Sequence, residues 1–399
     1  MVKRVPSAGG YLPLGQLIFG LMLPVTGVVP VLDELTRGRH PGLSDFAQHL
    51  FMVANMLAAV LFAPLVGQLS DRLGRRQPVL IGSLLANIVV LLLLARDAPY
   101  AVHLLLRFFD GALHISALTL LMTMAGDRGS GTSSGRAMGT AGLALTLGVA
   151  AGAPLGGWLG GIRPTLVLEA GAVLSLLLAV GCCFLNEVPA SQPSQPEDCG
   201  RTILGRLPWR QLVVPYAFTF ADRLSVGFIV STMTLYMRRV LDAEPERIGL
   251  LMASFMLPFA LLSYPFARLA QAWGALTPLM AGSLLYAGAL VALSLAPLPL
   301  WFALMPAGGI AAALMFAPTL VLTAAAANDS QRARAMGGFH AAGSLGFLLG
   351  PLVGGGVLAA AELFGRDGWL AAFWLVAGLQ LLCVALFLPL WLRRRGSGG

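Results

Sequence analysis

Charge is scarce in this sequence. Asp, Glu, Lys and Arg make up 11% of its 399 residues, against about 25% in ordinary soluble domains, and 57% are hydrophobic. A soluble chain so composed has too few polar side chains to cover its own surface. Cysteine is scarce as well. Cys182, Cys183, Cys199 and Cys383 form no pair with metal-ligand or redox spacing, and three of them sit in apolar runs, so they read as packing residues and no metal site is expected. Strand-like alternation of period two is missing, which argues against a β-barrel. No G-x-x-x-x-G-K-[ST] phosphate loop occurs, so ATP is not the direct energy source. No nucleophile–base or metal-ligand spacing stands out, so neither an enzyme nor a cofactor is expected.

What is present is a succession of apolar runs of about 20 residues, each long enough to cross a hydrocarbon core of about 30 Å. Twelve such spans are expected. In the first half they fall near Tyr11–Leu32, Phe46–Leu69, Pro78–Leu94, Tyr100–Met124, Ala137–Leu159 and Pro164–Leu185. In the second half they fall near Leu212–Tyr236, Ile248–Ala270, Leu276–Ala296, Leu298–Ala324, Ala335–Ala359 and Trp369–Leu392. The first run follows Lys3 and Arg4 and exceeds a signal-peptide core, so it is taken as a membrane helix. Pro189, Pro193 and Pro196 lie among Ser and Gln in the stretch between the halves, a linker composition. The expected division is a bundle over 1–187, a cytoplasmic linker over 188–210 and a second bundle over 211–399.

The net charge of +8 does not point to nucleic acid, because almost all the basic residues lie between the apolar runs. Twelve spans place both termini on one side. If that side is the cytoplasm, sixteen Lys and Arg lie inside and eight outside, with Arg107 and Arg223 within spans. This asymmetry predicts cytoplasmic termini.

The halves repeat. Gly135–Gly157 reads GRAMGTAGLALTLGVAAGAPLGG, and 198 positions later Ala333–Gly355 reads ARAMGGFHAAGSLGFLLGPLVGG, identical at ten of 23 positions. Pro278 and Gly282-Ser-Leu-Leu repeat Pro78 and Gly82-Ser-Leu-Leu. A repeat of this length fixes the architecture as two related halves. Gly148, Gly152 and Gly156 lie four apart, as do Gly346, Gly350 and Gly354, so each trio leaves a bare stripe on a helix. Such stripes admit a second helix at close range. They serve as packing seams or take a direct part in function. Pro154 and Pro351 are expected to disturb their helices by freeing the carbonyls of Ala150 and Phe347.

The connection after the second span reads Gly67-Gln-Leu-Ser-Asp71-Arg72-Leu-Gly74-Arg75-Arg76. Gly67 permits close helix approach, Asp71 accepts hydrogen bonds or caps a helix, and the arginines anchor a cytoplasmic loop. The stretch matches every fixed position of G-x-x-x-D-R-x-G-R-R, and with it the chain resembles the major facilitator superfamily. The resemblance implies a cytoplasmic gate between the second and eleventh helices; the residues alone are also consistent with simple positive-inside anchors. The corresponding place in the second half, Ala267 to Gly274, keeps the glycine but lacks the acid and the arginine cluster.

Charges inside spans are costly and mark cavities or partners. Arg107, Asp110 and His114 lie three and four apart on one face of the fourth span. Arg107-x-x-x-Gly111 resembles the fourth-helix motif of proton-coupled members of the superfamily, with Asp110 in place of the usual Gln and His103 where Leu is typical. A structural Arg107–Asp110 ion pair is the plain alternative. Gly139, Gly148, Gly152, Gly156 and Gly157 of the fifth span resemble the superfamily's antiporter motif, G-x8-G-x3-G-P-x2-G-G, with Pro154 one place late. The eleventh span fits that motif throughout, with Gly337, Gly346, Gly350, Pro351, Gly354 and Gly355. Asp222 and Arg223 lie about ten residues, or 15 Å, into the seventh span, near the midplane. Their side chains leave the helix about 100° apart, so they are not expected to face each other. Asp33 closes the first span beside Glu34, as a cavity residue or an interfacial one. Glu169, near Arg163, reads as interfacial.

These readings converge on an all-α membrane protein with twelve transmembrane helices in two pseudo-symmetric six-helix bundles. The function they imply is secondary active transport by alternating access, as in the twelve-helix proton-coupled drug and metabolite antiporters that the chain resembles. Arg107, Asp110, His114, Asp222, Arg223 and Asp33 are the expected substrate and proton residues. Partners are then a small-molecule substrate, protons and the lipid bilayer. A monomer in a bacterial-type inner membrane is expected, exporting an amphipathic compound. An importer or facilitator of a small organic anion, with Arg107 and Arg223 as binding charges, is the nearer rival. A transporter-like receptor that does not translocate is the rival of another class.

Overall fold

The computed structural model describes residues 12–73, 75–128, 132–185, 208–326 and 329–396. Among them, twelve helices are long and apolar enough to cross a bilayer. They are Pro13–Leu35, Asp45–Ala63, Gln77–Leu94, Tyr100–Gly126, Gly139–Ile162 and Leu166–Cys183, then Trp209–Arg239, Pro245–Ala272, Leu276–Leu295, Leu298–Ala326, Ala335–Leu363 and Trp369–Pro389. All twelve expected spans are there. The first runs on past Gly27 through a tight turn at Val29–Val31 into a short helix, Leu32–Leu35. The seventh changes to a π-helix at Ile229–Met233 before finishing as Thr234–Arg239. Within the π segment's reach, the Thr234 hydroxyl donates to the carbonyl of Ile229, five residues back, at 2.9 Å.

The chain divides into two compact units. One comprises residues 1–42, 54–201 and 244–249; the other comprises 43–53, 202–243 and 250–399. Each unit pairs its helices in the same order. The first span packs on the fifth and sixth, and the third on the fourth and sixth. In the other unit the seventh packs on the eleventh and the ninth on the tenth and twelfth. The duplicated sequence thus builds a duplicated packing scheme, in which these helices find the partners that their counterparts find. Leu14, Ile18, Leu80, Leu84, Leu120 and Leu121 form the centre of the first unit's core. Many large apolar side chains point outward instead, among them Leu61, Leu93, Leu177 and Leu382. On a helix that crosses a membrane, lipid solvates such residues.

The glycine stripes settle against backbone. A Cβ on Gly148 would meet the Phe19 carbonyl at 2.6 Å, and one on Gly152 or Gly156 would overlap Thr26, Leu23 or Gly27 of the first span. In the second unit, a Cβ on Gly346 or Gly350 would overlap the Phe220 or Leu224 carbonyl of the seventh span, and Gly354 lies against Thr232. Gly157 faces Pro245 within the first unit, and Gly355 faces His49 within the second. Pro154 and Pro351 lie inside unbroken helices, Thr132–Ile162 and Asp329–Leu363. The expected disturbance is absorbed because one lost hydrogen bond does not break a helix held by its neighbours. The Phe347 carbonyl, which Pro351 leaves without its usual amide, points into the space where Gly227 lacks a side chain.

One cluster ties two connections of the first unit together. Arg39, after the first span, donates to the Leu94 carbonyl at 2.8 Å, to the Arg96 carbonyl and to Asp97 at 3.1 Å. Beside it, His40 Nε2 and His103 Nδ1 are 2.8 Å apart, and His103 Nε2 lies 3.0 Å from the Arg96 carbonyl. A carbonyl only accepts, so His103 carries its proton on Nε2. Its Nδ1 then accepts from His40.

Candidate functional site

Among the described residues, each unit holds an Arg–Asp pair within its spans. In the first unit the fourth helix, Tyr100–Arg128, supplies Arg107, Asp110 and His114 to one buried face. Arg107 Nη1 lies 2.5 Å from Asp110 Oδ2, and the two side chains are 2% and 7% exposed. Asn55 Nδ2 of the second span donates to the same carboxylate oxygen at 3.1 Å. Asn87 of the third span hydrogen-bonds Asp110 as well. Gly111 makes the Asn55 contact possible, because a Cβ there would overlap the Asn55 backbone. A buried charge pair is retained only where further hydrogen bonds fill the remaining lone pairs, and the two asparagines fill them.

One turn along, His114 points its Nε2 at no hydrogen-bond partner. It borders a small cavity with Asn87, Arg107, Asp110 and Ser175, in which about 10 Å³ is open to the centre of a water molecule. That is room for one water with polar partners around it. His103, four residues before Arg107 at the start of the same helix, pairs with His40 of the connection instead. Asp33 sits half-buried in the short helix Leu32–Leu35 and does not line this cavity.

In the second unit, Asp222 is buried at 2% exposure and Arg223 keeps 28% of its side chain exposed. The two directions diverge, as the helical rotation requires. Asp222 turns inward, within electrostatic reach of Tyr286 on the ninth span. Arg223 lies with its guanidinium over the Phe316 ring, 4.3 Å from the centroid, beside Gly343 of the eleventh span. The pair is nevertheless linked. The long Arg223 side chain bends back far enough to bring Nε to 3.4 Å from Asp222 Oδ2. Divergence at the backbone therefore does not prevent a loose contact at the tips.

Around Asp222 stand residues that the motifs do not mark. Gln380 Nε2 of the twelfth span donates to Ser225 Oγ at 3.3 Å, and Ser225 donates to the Ala221 carbonyl at 2.9 Å. Tyr286, Gln380 and Ser225 are all buried. Asn55, Asn87, Tyr286 and Gln380 share a plain sequence signal, a polar side chain flanked on both sides by apolar ones within a span.

Of the loop motif, residues up to Leu73 continue the helix Asp45–Leu73. The side chains of Gly67, Asp71 and Arg72 and the whole of Gly74 lie outside the described residues. Arg75 is exposed, and Arg76 is buried at the start of the helix Gln77–Leu94. The expected linker over 188–210 lies outside the described residues except for its last three.

Comparison with known proteins fits this architecture. The chain is 34% identical over 178 residues to the class G tetracycline resistance protein of Vibrio anguillarum, covering 44% of each protein. It is 32% identical over 152 residues to the class B tetracycline resistance protein of Escherichia coli, covering 38% of this chain and 37% of that one. The chain spans less than half the length of these two relatives. The crystal structure of nucleoside transporter NupG superposes with a TM-score of 0.75 at 16% identity, covering 96% of this chain and 98% of that one. At that identity the likeness is one of fold. The model of the Major Facilitator Superfamily matches residues 16–220 and again 215–398, one match for each half. With twelve apolar helices among its described residues, a duplicated packing scheme and two family matches, the chain belongs to the major facilitator superfamily of integral membrane proteins.

Proposed function

We propose that this protein is a proton-coupled exporter of a small amphipathic compound, working by alternating access, with Asp222 as the proton carrier. The carrying observation is the difference in how the two buried carboxylates are held. Asp110 is bound by Arg107 and two amides. Asp222 Oδ2 is buried, completes no hydrogen bond and has only the loose Arg223 contact. A carboxylate held so lightly gains and loses a proton with little rearrangement, whereas the Arg107–Asp110 pair supplies fixed charge balance. The tetracycline resistance relatives support export of an amphipathic drug-like compound.

In this reading Asp71 and the arginines of Gly67–Arg76 form the cytoplasmic gate. Both termini face the cytoplasm of a bacterial-type inner membrane, the two six-helix bundles of the sequence run over 1–187 and 211–399, and the monomer is the working form. The rival import of an organic anion draws support from the partly exposed Arg223 over Phe316. Against that rival, Arg107 is already committed to Asp110.

The test is a substrate panel, beginning with a tetracycline, in proteoliposomes carrying an imposed pH gradient. Uphill accumulation that a protonophore collapses is expected. Asp222→Asn is expected to abolish it while leaving substrate exchange at equal pH on both sides. Gradient-driven accumulation that survives in Asp222→Asn would overturn the assignment of the carrier.

A further inference from the structure

The pocket around Asp222 has an unbalanced set of hydrogen-bonding groups. Thr219, Asp222 and Ser225 lie three apart on the seventh helix and share a face. Ser225 Oγ has spent its proton on the Ala221 carbonyl and accepts from Gln380, which leaves one lone pair. The Tyr286 hydroxyl lies beside Ser225 and within electrostatic reach of Asp222. It completes no hydrogen bond of good geometry, and neither does Asp222 Oδ2. Both residues are at least 98% buried. A buried donor and a buried acceptor left open in one pocket are costly, and Ser225, beside which the phenol lies, is one helical turn from Asp222, so a small movement of the Tyr286 side chain suffices to exchange one acceptor for the other.

We infer that Tyr286 is the positioning residue for Asp222, its hydroxyl donating to the carboxylate when Asp222 is charged and turning to Ser225 when Asp222 carries a proton. This rests on the reading of Asp222 as the proton carrier. The proton that Asp222 gains comes from water and returns to water. Tyr286 keeps its own proton throughout and only redirects it, so no charge forms on the phenol.

Among the described residues, the charged group acting directly on the carboxylate is Arg223, from the same helix. His340 of the eleventh span lies within electrostatic reach of Arg223 and not of the carboxylate. The ninth and twelfth spans bring the neutral Tyr286 and Gln380, and the Cys383 thiol is turned to the Ala217 carbonyl at 3.9 Å. A donor aimed at the charged form of a carboxylate favours that form. Tyr286 therefore sets the pH range over which the carrier loads.

The experiment is infrared difference spectroscopy on the full-length purified protein in lipid vesicles, titrated in pH without substrate. The protonated carboxyl band that disappears in Asp222→Asn is followed. Tyr286→Phe removes the donor and keeps the ring, so the midpoint of that band is expected to move up by about one pH unit. Ser225→Ala removes the alternative acceptor, which leaves the phenol on Asp222 and moves the midpoint down. Opposite displacements are not produced by general loosening of the fold. Tyr286→Phe and Ser225→Ala midpoints that both stay within about 0.2 of wild type would overturn the role of Tyr286. If Tyr286→Phe does not insert, the downward displacement in Ser225→Ala decides the matter alone. If the wild type shows no titrating band that Asp222→Asn removes, it is the proton-carrier reading that fails.

Discussion

The two units bury the same pair of charges in opposite ways. In the first, Arg107 and Asp110 sit one turn apart, both inside, with Asn55 and Asn87 closing the remaining bonds. In the second, Asp222 and Arg223 are neighbours in sequence, one inside and one partly out, joined at 3.4 Å. Spacing makes the difference. Residues three apart stack on one helix face, whereas adjacent residues are turned about 100° from each other. One duplicated scaffold therefore carries a closed ion pair in one copy and an open one in the other. A closed pair is suited to a fixed role, and an open one to a role that changes during a cycle.

The largest expected effect strikes the closed pair. Arg107→Ala strands Asp110 in the core and should cost about 3–5 kcal/mol, the usual penalty for breaking a buried ion pair. Arg223→Ala should cost less than about 1 kcal/mol, since its side chain is partly solvated. Thermal melting of both variants in the same detergent measures the contrast. Equal losses would mean that the two centres are not differently held.

The glycine stripes give the middle-sized test. Gly152→Leu and Gly350→Leu each force a side chain into facing backbone, and overpacking of this kind costs about 1–3 kcal/mol. Because the stripes have equivalent partners in the first and seventh spans, the two losses should be similar. A variant with unchanged melting and unchanged transport would show that its stripe is not a packing seam.

The smallest effect concerns the histidine cluster, which the first unit has in its connections. Burial holds His40 below the ordinary imidazole range, the Arg39 guanidinium adds to this, and Asp97 opposes it. A group with a depressed folded value contributes stability that is present above the unfolded value, about 6.5, and is lost as pH falls through the folded one. Taking the protein from about pH 7.5 to about pH 5 should therefore lower its melting temperature slightly more than that of His40→Gln, by about 2 °C at most. Identical pH responses in the two proteins would remove His40 from the account.

Much of this was legible in the residues. All twelve spans follow from run length, since a bilayer demands about 20 apolar residues and little else does. Their ends were less legible. The eleventh helix begins at Asp329, six residues before its apolar run at Ala335. Helices continue into water, where hydropathy carries no mark of them. The Arg107–Asp110 pairing could be read from spacing within one helix. The partners Asn55, Asn87, Tyr286 and Gln380 could not be assigned, because each meets its centre from another helix and helix pairing is a tertiary fact. The repeat shows that the fifth and eleventh spans are equivalent, but not that they rest on the first and seventh.

The π segment at Ile229–Met233 has its own consequence for the second unit. Such a turn is an α-helix carrying one surplus residue. The six residues that follow, Thr234–Arg239, are therefore out of phase by about 100° with the helix that begins at Trp209. It is this displaced phase that stacks Tyr236 on Trp301, with ring centroids 5.9 Å apart, and brings its hydroxyl to 3.3 Å from the Ser294 carbonyl. Removing a single residue between 229 and 233 would yield a more regular helix and a worse protein, since the aromatic end of the span would be rotated away from its seat.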